Sequence, residues 1–182
     1  MTTKYLIKNV EVSGVVSDIA LENETITAIG KSLKSDGATE FDFTGSLALP
    51  GLVDLHTHLR EPGKEDAETV LSGSRAAARG GFTAVSAMAN TSPVADTAGV
   101  VEQVYRLGQS AGLVDVFPIG AVTQGIQGEH LAEIGAMADS AARVRVFSDD
   151  GNCVFDPLVM RRALEYIKKF DGVIAQHAQE PR

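Results

Sequence analysis

Hydrophobic and polar positions follow two rhythms along this chain, and the change falls at Pro50-Gly51. Before it, Tyr5–Val12, Ile19–Glu22, Thr25–Ile29 and Phe41–Leu49 are short β-rich runs separated by polar or glycine-containing turns, with Gly30–Thr39 as a surface connection. Residues 1–49 read as a small all-β unit. Beyond it, Leu52–Leu55 is the short apolar run expected of a strand buried on both faces. Ala67–Arg79 carries Val70, Leu71, Ser74, Ala77 and Ala78 at helical spacing and stops at Gly80-Gly81. A strand at Phe82–Met88 precedes a helix over Asp96–Ala111, in which Val100, Val104, Leu107 and Ala111 share a face. Then come a strand at Val114–Val122, a helix over Glu129–Ala138 and a strand at Val144–Phe147. The next helix is marked by Asp156 as its cap, Pro157 in its first turn and Lys168 and Lys169 in its last, and a final strand spans Val173–Gln176.

That is about four βα units plus a fifth strand, the pattern of parallel βαβ architecture. A closed eight-fold barrel needs ~250 residues, more than follow Pro50. Residues 50–182 therefore predict an α/β fold, a partial TIM-like (β/α) barrel that is either a piece of a longer protein or an unusual half-barrel.

Composition narrows the function classes. A formal net charge of −8 supplies no basic stripe for nucleic acid. No apolar stretch is long enough to span a bilayer, and the opening Met1–Val10 does not resemble a signal peptide. A single cysteine, Cys153, rules out an internal disulfide, suits a reducing cytoplasm, and reads as an inert thiol rather than a nucleophile.

Candidate chemistry collects at the ends of the predicted strands. His56 and His58 are two residues apart at the end of an apolar strand, where alternation points both imidazoles to one face. A metal pair and two loop histidines both remain open on this pattern alone. His177 follows another strand, and so does Asp149-Asp150-Gly151, which is either a turn or the source of one carboxylate ligand. Adjacent carboxylates seldom both face one ion, so at most one of the two is a direct ligand. Arg60 shares the histidines' face if strand geometry continues, and its guanidinium can hold a carboxylate through two parallel hydrogen bonds. Asn90, just after the Phe82–Met88 strand, can donate to the same anion or simply form a turn. His130, beside Glu129, reads as a solvated surface residue.

The segments Pro50–Gly63 (with His56-Thr57-His58-Leu59-Arg60-Glu61-Pro62), Ala76–Thr83, Met88–Val94, Phe147–Gly151 and Ala175–Glu180 together resemble the dihydroorotase family of cyclic amidohydrolases. The resemblance runs through the whole chain in order. It is closest to the class that uses an aspartate where hydantoinases use a carboxylated lysine, and no lysine occurs between Lys64 and Lys168. It implies that His56 and His58 hold one zinc, that Asp150 can bridge two metals and that His177 serves the second. Arg60 and Asn90 would bind the substrate carboxylate. Ala89 departs from the proline common at that position. The family's further metal histidine and its proton-shuttling aspartate have no counterpart here, so no catalytic acid or base is assigned within the chain.

The implied reaction is the reversible cyclisation of N-carbamoyl-L-aspartate to dihydroorotate in pyrimidine synthesis, with one or two zinc ions. The 182-residue chain is expected to be weakly active or inactive alone. Another cyclic amidohydrolase, an allantoinase or hydantoinase, is the alternative within enzymes. A non-catalytic scaffold for aspartate transcarbamoylase is the alternative outside them. Open strand edges and an uncovered inner face predict homo-oligomers or association with remaining polypeptide.

Overall fold

The computed structural model describes residues 2–179 and divides into two compact units, Met1–Pro50 and Gly51–Arg182. Glu180, part of one resemblance segment, lies outside the described residues.

In the first unit, β1 (Lys4–Val12) pairs antiparallel with β2 (Val15–Glu22), which pairs antiparallel with β3 (Thr25–Gly30). Ser13 and Gly14 both take positive φ in the first hairpin, the twist that a tight two-residue turn requires. The single strand expected over Phe41–Leu49 is instead two, β4 (Thr39–Asp42) and β5 (Leu47–Ala48), each parallel to β1. The break has a local cause: Asp42 Oδ1 accepts from the Thr44 amide (3.0 Å) and hydroxyl (2.7 Å), and Gly45 turns at φ +80°. Leu6, Val10 and Ile19 form the buried apolar centre of the sheet.

The second unit alternates strand and helix: β6 (Leu52–Thr57), α1 (Val70–Arg79), β7 (Phe82–Ala87), α2 (Ala98–Ala111), β8 (Asp115–Pro118), α3 (Ile134–Asp139), β9 (Val146–Phe147), α4 (Pro157–Ile167) and β10 (Val173–Ile174). β6, β7 and β8 form one parallel sheet and β9 and β10 another, and a parallel bridge between Gly120 and Phe147 joins the two in chain order. The helices bury the expected apolar stripes. Val70 on α1, Val104 on α2 and Val85 and Val116 on the strands pack into one cluster with Leu59. Phe147 centres a second cluster with Ile134, Met137, Val122 and Ala163. α2 comes so close to β8 that a Cβ at Gly108 would press into Val116. No helix among the described residues is long and apolar enough to cross a membrane.

Three further sequence expectations change in this unit. First, Leu52, Val53 and Leu55 are exposed rather than buried on both faces, because β6 is the edge strand of its sheet. Second, α1 starts at Val70 instead of Ala67. Thr69 and Ser72 form a reciprocal cap there, and Glu61 Oε2 accepts a further first-turn amide, that of Val70, at 2.7 Å. Third, the helix expected from Glu129 begins only at Ile134. Gly125 and Gly128 take positive φ, and Thr123 pairs with Leu131 across an antiparallel bridge, so residues 123–131 form a loop.

Candidate metal and substrate site

β6 does not deliver its histidines by plain alternation. Its pairing with β7 steps from Asp54–Val85 to Thr57–Ala87, so one extra residue bulges from β6. Asp54 Oδ1 accepts the His56 amide at 3.0 Å, satisfying it within the bulge. His58 lies beyond the strand's last residue. The two rings still meet edge to face, 5.2 Å apart between centroids.

Asp150 is the point of convergence. Its Oδ1 lies 3.4 Å from His56 Nε2 and 3.5 Å from His177 Nδ1, and its Oδ2 lies 3.4 Å from His58 Nε2. His56, His58 and Asp150 each offer one atom, all within 4.8 Å of one another. Donors on a tetrahedral ion with ~2.1 Å bonds sit roughly 3.4 Å apart, so the observed spacing suits one ion held between them. His177 reaches the same carboxylate, although it falls outside that compact trio. Its Nε2 is engaged by Gln179 Oε1 at 3.1 Å.

The neighbouring aspartate has a different task. Asp149 is buried, and its Oδ1 accepts the Val122 amide at 2.8 Å and the Thr123 amide at 3.0 Å. Its Oδ2 takes the Thr123 hydroxyl, which itself accepts from the Gly128 amide at 2.9 Å. Burial pushes the Asp149 carboxyl above its usual range, and the bonds from Thr123 and Val122 pull against that shift. Asp149 thus anchors the β9 end to the 122–128 loop and leaves Asp150 facing the histidines.

Arg60 takes φ +63°, so strand geometry does not continue to it and the expected shared face with His56 and His58 is lost. Its guanidinium makes no ion pair or hydrogen bond among the described residues. Asn90 lies against His58, its Oδ1 3.0 Å from His58 Nδ1. The Arg60 and Asn90 loops are docked to each other: the Ser92 amide donates to the Pro62 carbonyl at 2.9 Å, and a Cβ at Gly63 would overlap the Ser92 carbonyl. Gly63 also takes φ +99°. Gly63→Ala is therefore expected to lower unfolding free energy by about 2–4 kcal/mol, read as a shift of the urea midpoint. An unchanged midpoint would show that the two loops part freely.

Leu55, His56, Met88, Ile119, Ser148, Asp150 and the Ala175–Ala178 segment line one open cleft. Each of the five parallel strands thus sends residues from its carboxyl end to the same place. His130 is exposed, and Cys153 is free and half-buried, its Sγ 3.2 Å from Gln176 Nε2. Thr123, Glu61, Gln176 and Gln179 were not assigned roles from sequence. Thr123 had a signal, a small hydroxyl residue closing an apolar run immediately before Gln124-Gly125.

Parallel strands in chain order, with histidines and a carboxylate gathered at their carboxyl ends, define an amidohydrolase-type fold and site. Solved structures agree on the fold. An L-hydantoinase (dihydropyrimidinase) from Arthrobacter aurescens superposes with a TM-score of 0.74 at 21% identity, over 96% of this chain and 40% of that one. A crystallised dihydroorotase gives 0.70 at 13% identity, over 98% and 52%. Within this class the chain belongs to the dihydroorotase-like family, whose model matches residues 45–181. It is 71% identical over 169 residues to a dihydroorotase of Leifsonia xyli subsp. xyli, covering 93% of this chain and 39% of that protein. With a dihydroorotase of Streptomyces coelicolor it shares 62% over 181 residues, covering 99% and 42%. The chain thus spans about two-fifths of the length of these relatives.

Proposed function

We propose that this chain is the amino-terminal arc of a zinc-dependent dihydroorotase (β/α) barrel, which interconverts N-carbamoyl-L-aspartate and dihydroorotate in the cytoplasm. The observation that carries this reading is the convergence of His56, His58 and His177 on Asp150 within 3.5 Å, in a chain so similar to dihydroorotases. The donor set fits zinc, which takes imidazole and carboxylate ligands at distances compatible with this spacing. His56, His58 and Asp150 would hold one ion, and Asp150 with His177 would serve a second. A bound zinc supplies an activated water near neutral pH and polarises an amide carbonyl.

The chain's own residues bind and orient the substrate. Arg60, whose guanidinium has no partner among the described residues, and Asn90, with an amide beside the site, grip the substrate carboxylate and so orient the ring amide. Leu55, Met88 and Ile119 give the cleft an apolar wall that limits water around the reacting centre. The exposed Leu52 and Val53 would be covered by further polypeptide of the same protein or by another copy.

An allantoinase or hydantoinase has less use for a carboxylate clamp, because its ring carries no carboxylate. The test is an assay of the full-length protein on dihydroorotate, hydantoin and allantoin, alone and with Arg60→Met. Dihydroorotate should be preferred, and the variant should raise KM for it roughly 100-fold, the loss expected of a bidentate charged contact. Faster turnover of hydantoin, or a variant with unchanged KM, would overturn the assignment.

A further inference from the structure

The contact between His58 and Asn90 fixes more than position. An amide oxygen has lone pairs and no proton, so it only accepts. With Asn90 Oδ1 as the atom that faces His58 Nδ1, at 3.0 Å, the contact is a hydrogen bond when His58 carries its hydrogen on Nδ1. In the neutral ring Nε2 is then a bare lone pair, and it faces Asp150 Oδ2 at 3.4 Å. Two acceptors aimed at one another with no proton between them are arranged for a shared cation. The same assignment leaves the Asn90 Nδ2 hydrogens directed away from His58, with no acceptor among the described residues.

The loop that presents Asn90 is held firmly. Ala89 is fully buried, and its carbonyl accepts the Ala95 amide at 3.0 Å. Thr91 Oγ1 donates to the Pro93 carbonyl at 2.8 Å, and Ser92 is tied to Pro62. The amide is therefore presented by a braced turn, and its two ends face different neighbours.

We infer that Asn90 is a positioning residue for the metal centre as well as a binder of the substrate anion. Its oxygen sets the His58 tautomer for coordination through Nε2, and its nitrogen serves the carboxylate. This rests on the metal reading above and extends it. Partners of this kind, which hold a ligand imidazole by its far nitrogen, typically contribute 10- to 100-fold in metal affinity. Substrate binding and metal binding are then linked through one side chain, because each draws on a different end of the same amide.

The test compares Asn90→Asp, which keeps the acceptor and loses the donor, with Asn90→Ala, which loses both. The 182-residue chain, labelled with ¹⁵N-histidine, is examined free of metal, where its four histidines give resolvable ring correlations. Zinc affinity is then measured by chelator competition, and urea midpoints confirm that both variants fold. The unsubstituted chain and Asn90→Asp should keep His58 Nδ1 protonated and bind zinc with equal or higher affinity in the variant. Asn90→Ala should move the proton to Nε2, the position preferred by free imidazole, and lose roughly 10- to 100-fold in zinc affinity. The inference is overturned if Asn90→Ala keeps both the Nδ1 proton and the affinity. It is equally overturned if a folded Asn90→Asp loses zinc as severely as the alanine variant. Failure of the unsubstituted chain to bind zinc is a different result: it overturns the metal reading, while the ring spectra still decide the tautomer.

Discussion

Replacing Asp150 by alanine is expected to weaken zinc binding by more than roughly 100-fold, beyond the usual loss on removing an outer partner of a ligand. The fold itself should barely notice. Among the described residues the Asp150 carboxylate meets only the three imidazoles, and its removal leaves none of their neighbours there buried and unpaired, so the change in unfolding free energy should stay within about 0.5 kcal/mol in the absence of metal. Chelator competition and urea unfolding on the same samples check both halves. Zinc held as tightly by Asp150→Ala as by the unsubstituted chain would remove Asp150 from the ligand set.

Asp149→Ala should give the opposite outcome one residue away. Its carboxylate is the acceptor for the Val122 amide, the Thr123 amide and the Thr123 hydroxyl, all at fully buried positions. Leaving three such donors unpaired, at about 1–3 kcal/mol each, predicts a loss of about 3–5 kcal/mol or more. That is a large share of the ~5–15 kcal/mol that holds a typical domain together. Asp149→Asn retains an amide oxygen for the two backbone bonds and should cost only about 1 kcal/mol. The check is the urea midpoint of each variant, measured without metal so that ligation does not contribute. A mild Asp149→Ala, equal to Asp149→Asn, would show that water enters and satisfies the loop.

The contrast between these neighbours also shows where sequence reading reaches its limit. Side-chain chemistry narrowed Asp149-Asp150-Gly151 to one ligand at most, and only the family resemblance pointed to Asp150, without a physical reason for the choice. The choice is made by the 123–131 loop. Thr123 turns its hydroxyl and amide onto Asp149, and Gly125 and Gly128 supply the positive φ values that let the chain fold back. Helical spacing after Glu129 concealed that loop, because Leu131, Ile134 and Ala138 are apolar at the right intervals for either reading.

The alternation of strand and helix after Pro50 was legible because each helix buries a periodic stripe. The side-chain types at the strand ends were legible because few residues bind cations. The β6 bulge was not, since it depends on a pairing slip against β7 and on the Asp54 carboxylate meeting the His56 amide. Nor was the exposure of Leu52, Val53 and Leu55, which follows from the strand's place at the sheet edge and not from its composition.

The backbone at Arg60 carries a further message. Left-handed geometry at a residue with a Cβ is unfavourable by roughly 1–2 kcal/mol, and glycine would adopt φ +63° without that penalty. Selection for thermal robustness alone would drift toward glycine at this position, and a design that relaxes backbone strain would nominate it early. Under the proposed function, arginine there is a position where durability and the carboxylate clamp pull the same codon in opposite directions. Any programme to harden this scaffold should hold residue 60 fixed and look for its gains elsewhere.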